Sequence, residues 1–166
     1  MITNHQDKKL ISAIHQYQRH RDKDGPIHRL LAGIGKLRHA IWTILSASDI
    51  HRDATVAQGV RFPHLRCVVV HQDAVIEEGC MIMQGVTLGQ THIAGAPYIC
   101  SGVYIGAGAK ILGAIRIGKN SRIGANAVVL SDIPENSTAV GIPARIILRE
   151  NSSIFQEIAK IDQSQD

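Results

Sequence analysis

In this sequence of 166 residues, acid–base, nucleophilic and metal chemistry falls chiefly to histidine and cysteine. The three cysteines, Cys67, Cys80 and Cys100, are odd in number and lack CxxC spacing, which indicates neither a disulfide framework nor a zinc knuckle. They read as reduced small hydrophobes. Five of the nine histidines fall within residues 1–48, and His51, His64, His71 and His92 follow. An imidazole is suited to take the proton of an alcohol attacking a carbonyl, and three converging imidazoles would hold zinc. Nothing resembles a phosphate-binding P-loop, a dinucleotide fingerprint or the order of a Ser-His-Asp hydrolase.

Two kinds of sequence must position these groups. Residues 1–48 hold eight Lys+Arg against three Asp, so the formal net charge of +4 belongs to this segment. Leu10, Ile11, Ile14 and Tyr17 recur at helical spacing, Asp24-Gly25-Pro26 interrupts, and Leu30, Leu31, Ile34, Leu37, Ile41, Ile44 and Leu45 resume the stripe. Two helices are expected, with the apolar stripe of the second packed on the same protein. Contact of this basic amphipathic segment with a membrane surface is a secondary expectation, and nucleic-acid binding is not expected. No apolar run approaches the roughly 20 residues that span a bilayer, and no secretory signal opens the chain, so a cytoplasmic location is expected.

From residue 50 the periodicity changes. Ile99, Ile105, Ile111, Ile117, Ile123 and Val129 form an unbroken aliphatic column at every sixth position. The same column runs earlier through Val70, Ile76, Ile82 and Leu88, and earlier still through Ile50, Val56, Phe62 and Val68. Small or aliphatic residues hold the fifth place of the later hexads, and glycine follows the aliphatic at Ile105-Gly106, Ile117-Gly118 and Ile123-Gly124. The register advances by two residues between Val68 and Val70 and slips again over Gln90 to Tyr98, where a loop is expected to leave the coil. Asp132 to Asn136 is expected to leave the last coil. A hexapeptide period predicts a parallel β-helix, whose narrow coil suits a chain with 24 Ile and 11 Val against 10 Leu and only 4% aromatics. The chain therefore reads as a helical segment over 1–48, a mainly β solenoid over 49–148, and a C-terminal helix and tail over 149–166.

Specific pieces of this run carry a resemblance: Asp49-Ile50-His51, Pro63-His64, the Gly-rich Gln84 to Gly89, Ile105 to Gly113, and Val140-Gly141-Ile142-Pro143-Ala144-Arg145. Asp49 to Ile147 resembles the left-handed β-helix acyltransferases, most closely serine O-acetyltransferase and the related polysaccharide O-acetyltransferases. The resemblance implies a left-handed coil, a homotrimer with sites between subunits, and acetyl-CoA as donor. It also implies that His64 is the general base and that Asp49, fifteen residues earlier, orients it. Ala107 and Ala125 match positions that touch CoA, and Arg145 matches a CoA-contacting arginine. Ser131 stands where related sugar acetyltransferases often carry Lys, so Lys110 or Arg149 is an alternative phosphate contact.

The acceptor positions depart from the serine enzymes. Pro63 replaces the aspartate that precedes their catalytic histidine, and the shortened loop Thr91 to Pro97 has Gly95 and Ala96 in place of an Arg-His pair. His92 is the candidate replacement. Loss of both charge partners fits a neutral acceptor, such as a sugar hydroxyl of a surface polysaccharide precursor, over free serine. Two other classes stay open: a trimeric zinc carbonic anhydrase drawing on His64, His71 and His92, and a non-catalytic scaffold on the same solenoid.

Overall fold

The computed structural model describes residues 6–148; the helix expected over 149–166 lies outside them. Two helices precede the coil, α1 (Gln6–Arg21) and α2 (Pro26–Ser46). Asp7 in the first turn of α1 and Arg19, His20 and Arg21 in its last complement the helix dipole. Pro26 opens α2 with its φ already fixed for a helix, and Ala47 closes it in the left-handed conformation.

The hexads then fold into a parallel solenoid of about five turns, the β-helix expected from the repeat. Each turn lays one short strand on each of three faces. The first face stacks Asp49–Ile50, Val69–Val70, Thr87–Gly89, Lys110–Leu112 and Val128–Val129. The second stacks Thr55–Val56, Val75–Ile76, Tyr98–Ile99 and Arg116–Ile117. The third runs from Met81–Ile82 through Tyr104–Ile105 and Arg122–Ile123 to Ser137–Val140, with Arg145–Leu148 folded back antiparallel. In the short strands the second residue points inward, so Ile50, Ile76, Ile82, Leu88, Ile99, Ile105, Ile111, Ile117 and Ile123 are all wholly buried.

Register locates the interruptions. On the first face Ile50 pairs with Val70, Val70 with Leu88, Leu88 with Ile111 and Ile111 with Val129, steps of 20, 18, 23 and 18 residues. The two extra residues of the first turn form an enlarged corner over Pro63 to Cys67, with Leu65 and Val68 turned inside. The five extra in the third step are the expected loop after Gly89. The exit expected at Asp132 to Asn136 does not occur there. Ile133 bridges to Ile117 and is buried, and the coil continues through Ser137–Val140 before the hairpin turns it back.

The open N-terminal end of the coil is closed by the helices. Leu10, Ile11 and Ile14 of α1 enter the same core as Ile50 and Val56. No coil turn precedes the first, and helical side chains take its carbonyls: His15 Nε2 donates to Val56 at 2.7 Å, His39 Nε2 to Ile50 at 2.8 Å, and Gln18 Nε2 to both Arg52 and Ala54 at 2.9 Å. A carbonyl only accepts, so both imidazoles carry their proton on Nε2.

The helices differ in what they bury, which corrects one expectation. α2 turns its small residues Ala32 and Gly35 toward α1; a Cβ on Gly35 would lie 2.8 Å from the Tyr17 nitrogen, so glycine permits this close crossing. Its aliphatic stripe is left outward, with Ile27, Leu30, Leu37 and Ile44 between 63% and 78% exposed. Among the described residues no helix is long and apolar enough to cross a membrane. Truncating Leu10 to Ala should cost about 2–5 kcal/mol in urea unfolding, whereas Leu30→Ala should stay within about 0.5 kcal/mol.

Candidate active site

The enlarged corner of the first turn carries His64. Leu65 and Val68 anchor it inside, with Arg66 and Cys67 exposed between them and His64 exposed just before. The backbone closes on itself and on both neighbours: Arg66 donates to the His64 carbonyl at 2.8 Å, Cys67 to Ala47 at 3.0 Å, and Gly85 to Arg66 at 3.0 Å. Cys67 takes a φ of 53° to make the turn. All three cysteines are free thiols; Cys67 is exposed at the corner, while Cys80 and Cys100 are buried in the coil.

Asp49 stands exposed at the start of the first face, paired with Val69. Its N–H donates to Val68 at 2.8 Å, and two residues earlier Ala47 stacks on the corner at Cys67. The fold therefore brings Asp49 and His64 to adjacent parts of one turn edge, with no hydrogen bond or ion pair between them in the single chain.

The remaining candidates align on the same edge. His64, Gln84, Ala107 and Ala125 each lie two residues beyond the inward residues Phe62, Ile82, Ile105 and Ile123, which stack in successive turns. The next position in this column is Gly141, two beyond Ala139, which pairs with Ile123. Backbone bonds tie it together: Gly108 donates to Gln84 and Asn126 to Ala107, both at 2.8 Å. At a strand spacing near 4.8 Å, His64 and Ala125 are separated by three steps, about 14 Å. Gly106 keeps the column close, since a Cβ there would lie 2.6 Å from the Ala125 nitrogen. Arg145 is exposed opposite Val140, beside Gly141 at the end of the column. The periodic reading missed Gln84 as a column member; counting two residues past each inward aliphatic finds it.

Lys110 and His92 lie apart. Lys110 donates Nζ to the Gly85 carbonyl at 2.7 Å and to Thr87 Oγ1 at 3.1 Å, so it is engaged within its own coil instead of standing free for a phosphate. Arg149 lies outside the described residues. His92 is exposed in the loop after Gly89, where Ile93 N–H donates to Thr91 Oγ1 at 3.2 Å, and it does not line the cleft that holds His64. The described residues of this one chain contain no group of three or more His, Cys, Asp or Glu placed to hold a metal ion. His71 instead accepts the Asp73 N–H at Nδ1, 3.3 Å, as His51 accepts that of Asp53 at 3.2 Å. His64 opens onto a cleft of about 1490 Å³ between α1 and the first turn.

Short strands stacked on three faces with an inward aliphatic every sixth residue define a hexapeptide-repeat β-helix. The family model for bacterial transferase hexapeptide (six repeats) matches residues 96–131. Among solved structures, a serine acetyltransferase in complex with CoA is 37% identical with a TM-score of 0.71, covering 86% of this chain and 56% of that one. Serine acetyltransferase of Brucella abortus strain S19 in complex with coenzyme A is 36% identical, TM-score 0.70, with coverage of 86% and 54%. That of Neisseria gonorrhoeae in complex with serine is 35% identical, TM-score 0.69, with coverage of 85% and 55%. The chain thus spans little more than half the length of these proteins. No curated protein matches it in sequence. The chain thus carries the bacterial transferase hexapeptide repeat and, over most of its own length, is similar in fold and sequence to part of the serine acetyltransferases.

The three thiols should separate by reactivity. Burial pushes Cys80 up to about 11 and raises Cys100 as well, so few thiolates form at either near neutral pH. Iodoacetamide at pH 8 should label Cys67 alone in the native protein and all three in denaturant, read by peptide mass spectrometry.

Proposed function

We propose that this chain is an acetyl-CoA-dependent O-acetyltransferase whose general base is His64 and whose acceptor hydroxyl belongs to a sugar of a surface polysaccharide precursor. The observation that carries the reading is the single coil edge on which His64, Gln84, Ala107, Ala125 and Gly141 follow one another. The small side chains of Ala107 and Ala125 leave their backbone N–H groups open to the carbonyls of an extended pantetheine arm. Arg145 at the far end suits a phosphate of the donor. Solved relatives in complex with CoA support the choice of donor.

In the proposed step the imidazole of His64 takes the acceptor proton as the oxygen attacks the thioester carbonyl. The new C–O bond forms, the C–S bond breaks, and the CoA thiolate leaves to be protonated by the imidazolium. Asp49 acts as the positioning carboxylate. The two side chains are unpaired in the free chain, and such catalytic hydrogen bonds commonly tighten only with substrate bound. A homotrimer with sites between subunits, in the cytoplasm, is part of the proposal. The outward stripe of α2, with Arg29 and Lys36 exposed beside it and no acidic residue in the helix, supports peripheral contact with an anionic membrane surface.

Serine as the acceptor is the second reading, favoured by relatives solved with serine and with cysteine. Acetyl-CoA consumption against L-serine, simple sugars and lipid-linked glycans separates the two: turnover of L-serine at ordinary rates with no sugar acetylated defeats the first. Replacing His64 with Ala should lower kcat by at least about 100-fold while leaving CoA affinity nearly intact. Normal turnover in that variant removes His64 as the base.

A further inference from the structure

The cleft beside His64 carries charge that transfer to a neutral hydroxyl does not require. Lys8 and Arg19 line it from α1, and Arg61 and Arg66 from the first turn; Asp7 is the one acidic residue among its described lining. All four cations are exposed, and none is in an ion pair among the described residues. Arg21, by contrast, is paired with both Asp22 and Asp53. Four cations against one carboxylate around one concavity repel one another and focus a positive potential into it. A bound anion relieves that repulsion.

The dimensions point the same way. A cleft of about 1490 Å³ exceeds the roughly 300–1,000 Å³ that encloses a drug-sized ligand, so it takes more than one sugar ring. The ammonium of free serine would find only Asp7, whose Oδ1 already accepts the Lys8 backbone N–H at 2.7 Å. The missing charged positions near Pro63 and Gly95 argued for a neutral acceptor, but folding brings in cations that no linear motif connects.

We infer that the cleft between α1 and the first turn is the acceptor subsite and that it takes an acidic glycan, one bearing carboxylate or phosphate, held by Lys8, Arg19, Arg61 and Arg66. Arginine forks match both anions bidentately. The inference rests on the acetyltransferase reading and narrows its acceptor.

Calorimetric titration of the full chain tests it with three probes: tetragalacturonate, its methyl ester, which keeps its other hydroxyls but lacks the charge, and a phosphorylated mannan oligosaccharide. At least one acidic probe should bind, at least about tenfold more tightly than the ester, and should weaken as salt rises from about 50 to 500 mM. Arg61→Gln and Arg66→Gln should each weaken that probe about fivefold or more and leave acetyl-CoA binding unchanged. The carboxylate and phosphate probes distinguish the two sources of charge. Equal binding of the ester, binding of neither acidic probe, or Arg variants that weaken acetyl-CoA in place of the glycan would each overturn the inference. An unmodified chain that fails to bind acetyl-CoA in the same experiment counts against the transferase reading; one that binds it without preferring acidic glycans counts against this inference alone.

Discussion

Everything in this chain depends on pairing one coil turn with the next. Parallel backbone bonds tie turn to turn at a fixed spacing, so each turn must present an inward aliphatic at the same phase and every outward residue joins a column. The wholly buried run from Ile76 to Ile123 is the inside of that arrangement, and the edge from His64 to Gly141 is the outside. The same pairing leaves two open ends. At one, Gln18, His15 and His39 take carbonyls of the first turn while Leu10 and Ile14 complete the core. At the other, Arg145–Leu148 pairs antiparallel with Ser137–Val140.

This dependence explains what was legible in the sequence. A column at every sixth residue is visible without coordinates because solenoid contacts are local in sequence, one turn apart. The loop after Gly89 is visible for the same reason, as a break in phase. Position along an edge is equally countable, which is why Ala107 and Ala125 fall in line with His64. The phase slip at Val70 announced two extra residues but not their place. Only the burial of Leu65 and Val68 assigns them to the corner that presents His64. The exit from the last coil was misplaced because Asp132 to Asn136 has turn composition, yet Ile133 still fills the column there.

What stayed hidden depends on contacts between elements. The stripe of α2 has the periodicity of a packed helix face, and periodicity alone does not say which face packs. Gly35 and Ala32 let α1 approach closely, and that choice turns the aliphatics outward. Lys110 resembled a free cation until the turn before it supplied Gly85 and Thr87 as acceptors. The cations of the cleft come from segments more than 40 residues apart, so no motif joins Lys8 or Arg19 to Arg61 and Arg66.

The site lies where the repeat is both broken and kept. His64 shares its column with Gln84, Ala107 and Ala125 and opens the enlarged corner of the first turn. The two additional residues let the first turn project His64, Arg66 and Cys67 outward while Leu65 and Val68 hold the corner to the core. Beyond Gln84 the column narrows to Ala107 and Ala125, where Gly106 lies against the Ala125 backbone with no space for a side chain. A base needs room and a partner surface, whereas an extended thioester arm needs a smooth edge of backbone groups. An enlarged corner beneath a stack of plain ones provides both along a single line, and α1, which closes the coil, supplies the opposite wall of the cleft.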